Sequence, residues 1–212
     1  MKFSNKNTKI WSKFYQKLTQ KRKKANIYYS KGKIFASASG VNCEYYLRYL
    51  FDGTEKKSDF YWWGHEAQIG NAIHDEIQSD FRHSYKDKVK IETYQAFKIG
   101  DITINAKIDL IKDDRVIEFK TVKDEEGREP REKDYMQLQF YMGVTGLNSG
   151  TLSYFKRSNG VHINSFDVQF DEKVFRDIVE KFERVLENKE LREDKSECQY
   201  CDFKYCCPKF GG

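Results

Sequence analysis

No aspartate or glutamate precedes Glu44, so the first fifth of this 212-residue chain is basic without a counterweight. There is no apolar run near the length that spans a bilayer. The N-terminus is basic but lacks the apolar stretch of a signal peptide. A soluble, cytoplasmic protein with no membrane partner is the expectation. No G-x-x-x-x-G-K-S/T phosphate loop is present, which argues against a built-in helicase or ATPase. His65-Glu66 superficially resembles the start of a zinc-protease helix, but the second histidine would fall at position 69, which is Ile69. There are no internal repeats. Cysteines number only five, unlikely as a disulfide framework in a cytosolic chain.

What is present is unevenly placed. Eleven Lys and Arg lie before Cys43, leaving 27 of the 38 for the rest of the chain against all 33 Asp and Glu. All the positive excess therefore sits at the front. Aromatics are interleaved with it (Trp11, Phe14, Tyr15, Tyr28 and Tyr29). Such an arm suits a phosphate backbone, where affinity comes mainly from counterion release. It reads equally as a solvated, lysine-rich helix with frayed ends. Hydrophobic content is 39% and aromatic content 16%, low but sufficient for a core, and the length fits one domain. Residues 1–36 are expected to form a basic N-terminal arm and 37–212 a single domain.

Along the chain, Ile10, Phe14 and Leu18 give a basic helix to about residue 25 one apolar stripe. Ser37 or Ser39 can cap a helix from about Val41 to Phe51, with Cys43 in its first turn. A polar linker at 52–59 precedes a helix from about Tyr61 to His83 with the stripe Ile69, Ile73, Ile77 and Phe81. Ile91–Ile99 reads as a strand. Ile102–Ile111 and Val116–Thr121 read as a hairpin turned at Lys112-Asp113-Asp114-Arg115. A charged loop leads to a helix from about Asp134 to Thr145. A second hairpin follows, Thr151–Lys156 and Val161–Phe170, turned at Ser158-Asn159-Gly160. Asp171 caps a last helix with the stripe Val174, Phe175, Ile178, Val179, Phe182 and Val185. The order predicts an α/β fold, a mixed central β-sheet flanked by helices.

The chemistry gathers on the first hairpin. Side chains alternate faces along a strand. Strict alternation puts Ile102, Ile104, Ala106, Ile108 and Leu110 on one face, with Thr103, Asn105, Lys107 and Asp109 on the other. On the second strand it opposes Ile117 and Phe119 to Val116, Glu118 and Lys120. Two carboxylates and an ammonium would then share one side; an ordinary solvated strand face could look the same. His74, on the preceding long helix, adds an imidazole, and Gly70 one turn earlier clears space for a metal, a phosphate or a close backbone. Taken alone, His74 is more often structural. Together, His74, Asp109 and Glu118 make a hard-cation site suited to Mg²⁺ or Mn²⁺, to which a backbone carbonyl near Phe119 can add a ligand. Lys120 would stand beside a metal-bound water, orienting it and offsetting charge on an attacked phosphate. Gln137 and Tyr141, at i and i+4 on one helix face, can bind the scissile phosphate or its neighbours; in isolation they would be a polar surface stripe. The set is equipment for phosphodiester hydrolysis.

The other concentration is the tail, where Cys198-x-x-Cys201 is followed by Cys206-Cys207-Pro208. This spacing holds several thiolates within one coordination sphere and points to zinc or an iron–sulfur cluster. Adjacent Cys206 and Cys207 do not comfortably ligate one centre, so one is spare. A centre shared with Cys43 would pin the tail against the N-terminal helix, closing a loop whose entropic cost grows only logarithmically.

The ordered set Gly70-x-x-x-His74, Asp109, Glu118-x-Lys120 and Gln137-x-x-x-Tyr141, framed by Cys43 and Cys198-x-x-Cys201-x5-Cys207, resembles the RecB/AddB-type branch of the PD-(D/E)xK nucleases. Within it the chain is most similar to compact iron–sulfur members, the CRISPR-associated RecB-like exonucleases and their phage relatives. The resemblance runs from about Ser37 to Pro208. It implies a restriction-endonuclease-like core with His74, Asp109 and Glu118 as metal ligands, Lys120 as catalytic lysine, and Gln137 and Tyr141 as the active-site helix pair. It implies that Cys43, Cys198, Cys201 and Cys207 ligate a 4Fe–4S cluster, with the 198–208 tail and Cys43 forming a cluster subdomain. It further implies metal-dependent exonucleolytic cleavage of DNA, mainly single-stranded or at ends, and recombination, helicase or CRISPR adaptation proteins as partners. Ala106 and Glu44 depart from the family's usual glycine and proline without removing a chemical group. The competing expectation is a non-catalytic subunit that binds DNA ends; a weaker one is a zinc-tail protein binding RNA or protein.

Overall fold

The computed structural model describes residues 32–55, 62–123, 126–196 and 198–210. The expected basic helix before residue 25 lies outside the described residues, as does the second half of the expected linker. In chain order the elements are β1 (Ile34–Phe35), α1 (Glu44–Asp52), α2 (Trp62–Tyr85), β2 (Val89–Ile99), β3 (Ile102–Lys112), β4 (Arg115–Val122), α3 (Glu132–Thr145), β5 (Ser149–Lys156), β6 (His162–Gln169) and α4 (Glu172–Glu187). Short 3-10 turns occupy Ala36–Gly40, Lys86–Lys88 and Cys198–Tyr200. This is the mixed sheet with flanking helices that the element order predicts.

Turn chemistry sets the hairpins. Asp113 and Asp114 both adopt left-handed backbone, φ 51° and 54°, the conformation that lets a two-residue turn follow the twist of its strands. Between β5 and β6 the Asn159 side chain accepts the Val161 N–H at 3.0 Å before Gly160 (φ 71°). Between β4 and β5, which run parallel, α3 supplies the crossover that parallel pairing requires. Glu132 and Asp134 complement the N-terminal dipole of α3, and Gly146 ends the helix in left-handed conformation. Asp171 caps α4 as expected, accepting from Lys173 and Val174 N–H at 2.9 and 3.2 Å.

Two local expectations fail. Neither Ser37 nor Ser39 caps α1: the helix starts at Glu44 with Cys43 as its N-cap, and the Ser39 hydroxyl donates to the Ala36 carbonyl at 2.6 Å instead. A short side chain that can satisfy a neighbouring carbonyl closes its own turn there. The second failure is the strict alternation along β3. Ile104, Ala106 and Ile108 pack in the core with Leu138 and Phe140 of α3, and Ile111 packs against the same cluster. Leu110 instead stands opposite Ile117, on the side of Phe119, whose ring meets Phe81 of α2. Residues 108 and 110 therefore lie on opposite faces, and β3 turns over at Asp109.

The core sits between the sheet and the helices α3 and α4. Phe97 of β2 packs edge-on against Phe140 and Phe175, and a Cβ on Gly143 would fall 2.3 Å from the Phe175 ring, so a glycine is required where α3 crosses α4. On the opposite face α2 covers Phe119, with its Ile69–Phe81 stripe half-buried. The sheet itself splits beside β3. One edge of β3 pairs with β2 from Ile102 to Lys112. The other pairs with β4 only at Leu110, Ile111 and Lys112, and with β1 at Ile104 and Asn105. Between those two contacts β4 diverges from β3, and Asp109 lies at the fork.

Candidate active site

At the fork the Asp109 carboxylate replaces the missing ladder partner. Its Oδ2 accepts the backbone N–H of Phe119 at 2.9 Å and lies 3.5 Å from Nδ1 of His74. Gln78, one turn along α2, donates to the Asp109 carbonyl at 3.4 Å. Burial alone would raise the pKa of Asp109, but the His74 hydrogen bond and charge, the Phe119 N–H and Lys120 together hold it below the ordinary carboxylate value. Gly70 serves a close contact: a Cβ there would come within 2.9 Å of the Thr121 hydroxyl on β4.

Glu118 and Lys120 point to the α3 side of β4. Neither belongs to a solvated strand face, since Glu118 is only 3% exposed. Oε1 of Glu118 accepts from Lys120 Nζ at 2.7 Å and from Gln137 Nε2 at 2.9 Å. Lys120 Nζ also donates to Gln137 Oε1 at 2.8 Å. One amide of α3 therefore grips both residues of the Glu118-x-Lys120 pair, so Gln137 is no surface polar residue. The Gln137 amide further donates to the Tyr141 hydroxyl at 2.8 Å, which itself donates to the Lys107 carbonyl at 2.9 Å. Tyr141 is thus committed to holding α3 against β3, and burial, then the Glu118 charge, raises its pKa.

One oxygen is left over. Oε2 of Glu118 is buried with no hydrogen-bond partner among the described residues. Burial, and then the nearby Asp109 charge, push the Glu118 carboxyl up to about 8 against the pull of Lys120. Burial works against the Lys120 charge too, yet Glu118 and Asp134 outweigh it and keep the ammonium above its usual range. Two carboxylates close enough to repel, one with a bare oxygen, are a donor set that a hard cation satisfies. Among the described residues no three His, Cys, Asp or Glu side chains already share a coordination sphere, so a cation would have to draw His74, Asp109 and Glu118 inward.

Asp134 is the residue that sequence reasoning passed over. It lies 3.9 Å from Lys120 Nζ, and its other oxygen accepts from Arg131 Nε at 2.6 Å and from the Tyr154 hydroxyl at 2.9 Å. Its place three residues before Gln137, on the same helix face, was the available signal.

The tail cysteines gather towards Cys43, the N-cap of α1. Burial, then the charges of Cys43 and Cys207, raise the Cys198 thiol; burial, and the charges of Cys43, Cys198 and Cys207, raise Cys201. These four thiols lie within electrostatic reach of one another. Cys206 is exposed and its thiol faces the Phe203 carbonyl at 3.3 Å. The tail has an apolar anchor the sequence did not advertise: Phe203, fully buried, packs against Tyr46 and Tyr49 of α1 with ring centroids 5.1 and 5.3 Å away. Glu44, next to Cys43, accepts from Arg184 of α4 at 2.7 Å and from the Arg192 N–H at 3.0 Å.

Residues 16–208 match the PD-(D/E)XK nuclease superfamily. The chain belongs to that superfamily. Comparison with curated proteins returns no match. Among solved structures, the chain superposes on SSO0001 with a TM-score of 0.64 at 20% identity, covering 95% of this chain and 97% of that one. It superposes on an alkaline exonuclease from Laribacter hongkongensis, LHK-Exo, at 0.54 and 15% identity, over 74% of this chain and 87% of that one. A phage-related exonuclease from Haemophilus somnus gives 0.56 at 9% identity, over 74% and 93%. LHK-Exo has also been solved in complex with dAMP. These likenesses establish a shared fold for a PD-(D/E)XK chain whose carboxylates and lysine meet at the split of its sheet. Among the described residues no helix is long and apolar enough to cross a membrane.

Proposed function

We propose that this chain is a Mg²⁺- or Mn²⁺-dependent deoxyribonuclease that cleaves DNA from its ends, preferring single-stranded or splayed substrates. The observation that carries the reading is the bare Oε2 of Glu118, held beside Asp109 in a buried fork while the other oxygen of the same carboxylate, Oε1, takes Lys120 at 2.7 Å. A buried carboxylate oxygen without a donor is costly, and cation binding gives that cost a purpose. The end-directed preference is supported by the family resemblance and by neighbours that are themselves exonucleases, one of them solved with a nucleotide.

His74, Asp109 and Glu118 would hold the cation, with the Phe119 carbonyl as a further oxygen. Bound there, a divalent cation supplies a polarised water and neutralises charge on the attacked phosphate. The protein supplies the rest. Lys120 presents a permanent positive charge at the attacking side, where it orients the nucleophile and stabilises negative charge developing on the phosphate. Gln137 fixes Lys120 relative to Glu118, so that both keep their spacing as the cation arrives. Tyr141 and Asp134 act through these residues, one by fixing α3 on β3 and the other by supplying countercharge. The basic arm before residue 37 would capture the nucleic acid backbone.

Cys43, Cys198, Cys201 and Cys207 would be the ligands of the 4Fe–4S cluster that the resemblance implies, with zinc as the alternative, the thiols having to draw closer to share one centre. Their mutual charge opposes ionisation, and a bound cationic cluster would reverse that balance. Its part would be structural, fixing the tail to α1.

A time course on end-labelled single- and double-stranded DNA with Mn²⁺, with and without EDTA, tests the reading. Progressive loss of label from one end, abolished by EDTA and strongly slowed by Lys120→Met, is expected. Metal-loaded protein that binds DNA but degrades no form of it would replace this reading with that of a DNA-end-binding subunit.

A further inference from the structure

The two carboxylates meet only because β3 turns over, and the turn is not made by β3 alone. The ladder between β2 and β3 keeps one register throughout yet skips a single pair, Glu92 with Asp109. On either side Ile91 pairs with Leu110 and Thr93 with Ile108. Leu110 faces α2 and Ile108 faces α3, so both strands change face together at the skipped pair. Cross-strand partners share a face, and alternation alone does not allow this.

The backbone shows where the turnover is made. Glu92 has φ 49°, in the left-handed region that a non-glycine residue inside a strand rarely enters. The kink is held from two directions. Lys107 Nζ pairs with the Glu92 carboxylate at 2.5 Å. From the covering helix, Gln78 (4% exposed) donates to the carbonyl of Asp109, the strand residue left outside the ladder. With strict alternation Asp109 would face away from Ile108, while Glu118 points to the side on which Ile108 packs.

We propose that Glu92 is a positioning residue of the nuclease centre: its left-handed backbone turns Asp109 from the α2-facing side of the pleat towards β4, where it meets the Phe119 N–H beside Glu118 while keeping His74 in reach, and Gln78 holds the kink from α2. The proposal rests on the reading of Asp109 as a cation ligand. Local kinks of this kind re-aim side chains beside active sites, and here the conformation of residue 92, rather than its charge, is what counts.

The test compares Glu92→Gly, Glu92→Gln and Glu92→Ile in the full chain, reading Mn²⁺ binding by calorimetry, hydrogen exchange at the Phe119 amide, and kcat and KM on single-stranded DNA. Glycine adopts the left-handed region freely, so Glu92→Gly is expected to keep Mn²⁺ affinity and kcat within about twofold, as is Glu92→Gln. A β-branched residue resists it, so Glu92→Ile is expected to weaken Mn²⁺ binding and lower kcat by about ten- to a hundredfold. Its KM should be unchanged and its Phe119 amide should exchange faster. A Glu92→Ile protein with wild-type binding and exchange overturns the proposal, as does a Glu92→Gly protein that falls equally far. If Glu92→Ile does not fold, Gln78→Met decides: it should weaken Mn²⁺ binding and speed Phe119 exchange, and wild-type values for both reject the inference. A wild-type protein that takes up no Mn²⁺ refutes the nuclease-centre reading instead, and the exchange comparison still decides whether residue 92 sets the kink.

Discussion

The backbone N–H of Phe119 donates to the Asp109 carboxylate at 2.9 Å, joining β4 to β3 beyond the point where their ladder has ended. A side chain here does the work of a main-chain carbonyl. The bond orients Asp109 and lets the two strands diverge without leaving a buried N–H unpaired. The divergence makes the room in which Glu118, Lys120 and Gln137 assemble, so the site is a product of incomplete strand pairing.

Lys120→Met should separate binding from chemistry. The methionine fills similar volume and leaves Gln137 bonded to Glu118, so the fold is kept. Removal of one positioned charge that acts on the developing phosphate costs about 10²–10³ in kcat. Single-turnover cleavage is expected to fall by that factor while DNA affinity, measured by anisotropy, changes less than about threefold.

Cation binding should release a proton in mildly acidic and neutral buffer. The metal-free Glu118 carboxyl is pushed up to about 8, so below that pH it is protonated and must ionise to bind a cation. Asp109 is held low and contributes no proton. Apparent Mn²⁺ affinity should therefore rise with pH and level off above about 8. Calorimetry in buffers of different ionisation enthalpy should show close to one proton released per Mn²⁺ at pH 6.5 and almost none at pH 9. Proton release equal at both values would refute this assignment.

Much of this was legible in the sequence because it rests on local rules. The turn at 112–115, the Asp171 cap and the i, i+4 spacing of Gln137 and Tyr141 are properties of a few adjacent residues, and the structure places each as that reading has it. The face of Asp109 was not legible. The parity argument assumes an unbroken pleat, and the residue that breaks it is a glutamate on the neighbouring strand with no glycine to mark it. Ser39 misled for a related reason: its hydroxyl had a choice of partners, and tertiary packing decided between them. Phe203 gave no periodic signal because it sits in a tail of short turns, and the rings of Tyr46 and Tyr49 that pack on it come from α1, far away in sequence.

Gln139→Leu offers a stability control away from the chemistry. Gln139 is fully buried in α3; its amide donates to the Gln169 carbonyl at 2.9 Å and accepts from the Asp171 N–H at 2.8 Å. Leucine keeps the volume but orphans both backbone groups, at about 1–3 kcal/mol. For a chain of this length Tm should fall by about 2–12 °C, with kcat at 25 °C unchanged. A fall in kcat without a fall in Tm would place Gln139 in the catalytic network.

Deleting residues 1–25 removes nine Lys and Arg and no acid. If that segment captures the phosphate backbone, KM on long single strands should rise and its dependence on salt should flatten, since fewer counterions are released on binding. Turnover on short, saturating substrates should change little. An unchanged salt slope would assign substrate capture to the domain itself.

Serine substitutions should divide the five cysteines four to one. Cys43 joins the tail thiols across 155 positions of sequence, and the charges of Cys43 and Cys207 both act on Cys198 and Cys201, whereas Cys206 is exposed and turned to the Phe203 carbonyl. Protein purified without oxygen is expected to be brown, with broad visible absorbance. Cys43→Ser, Cys198→Ser, Cys201→Ser and Cys207→Ser should each lose the colour, and Cys206→Ser should keep it. Phe203→Ala tests the order of cause: the ring packs the tail on Tyr46 and Tyr49 of α1, so its loss should weaken cluster retention even with all four thiols present. Colourless protein carrying stoichiometric zinc would keep the ligand set and change the metal. Colour retained in Cys207→Ser but lost in Cys206→Ser would exchange the fourth ligand, and with it the geometry that places Cys206 outside the group.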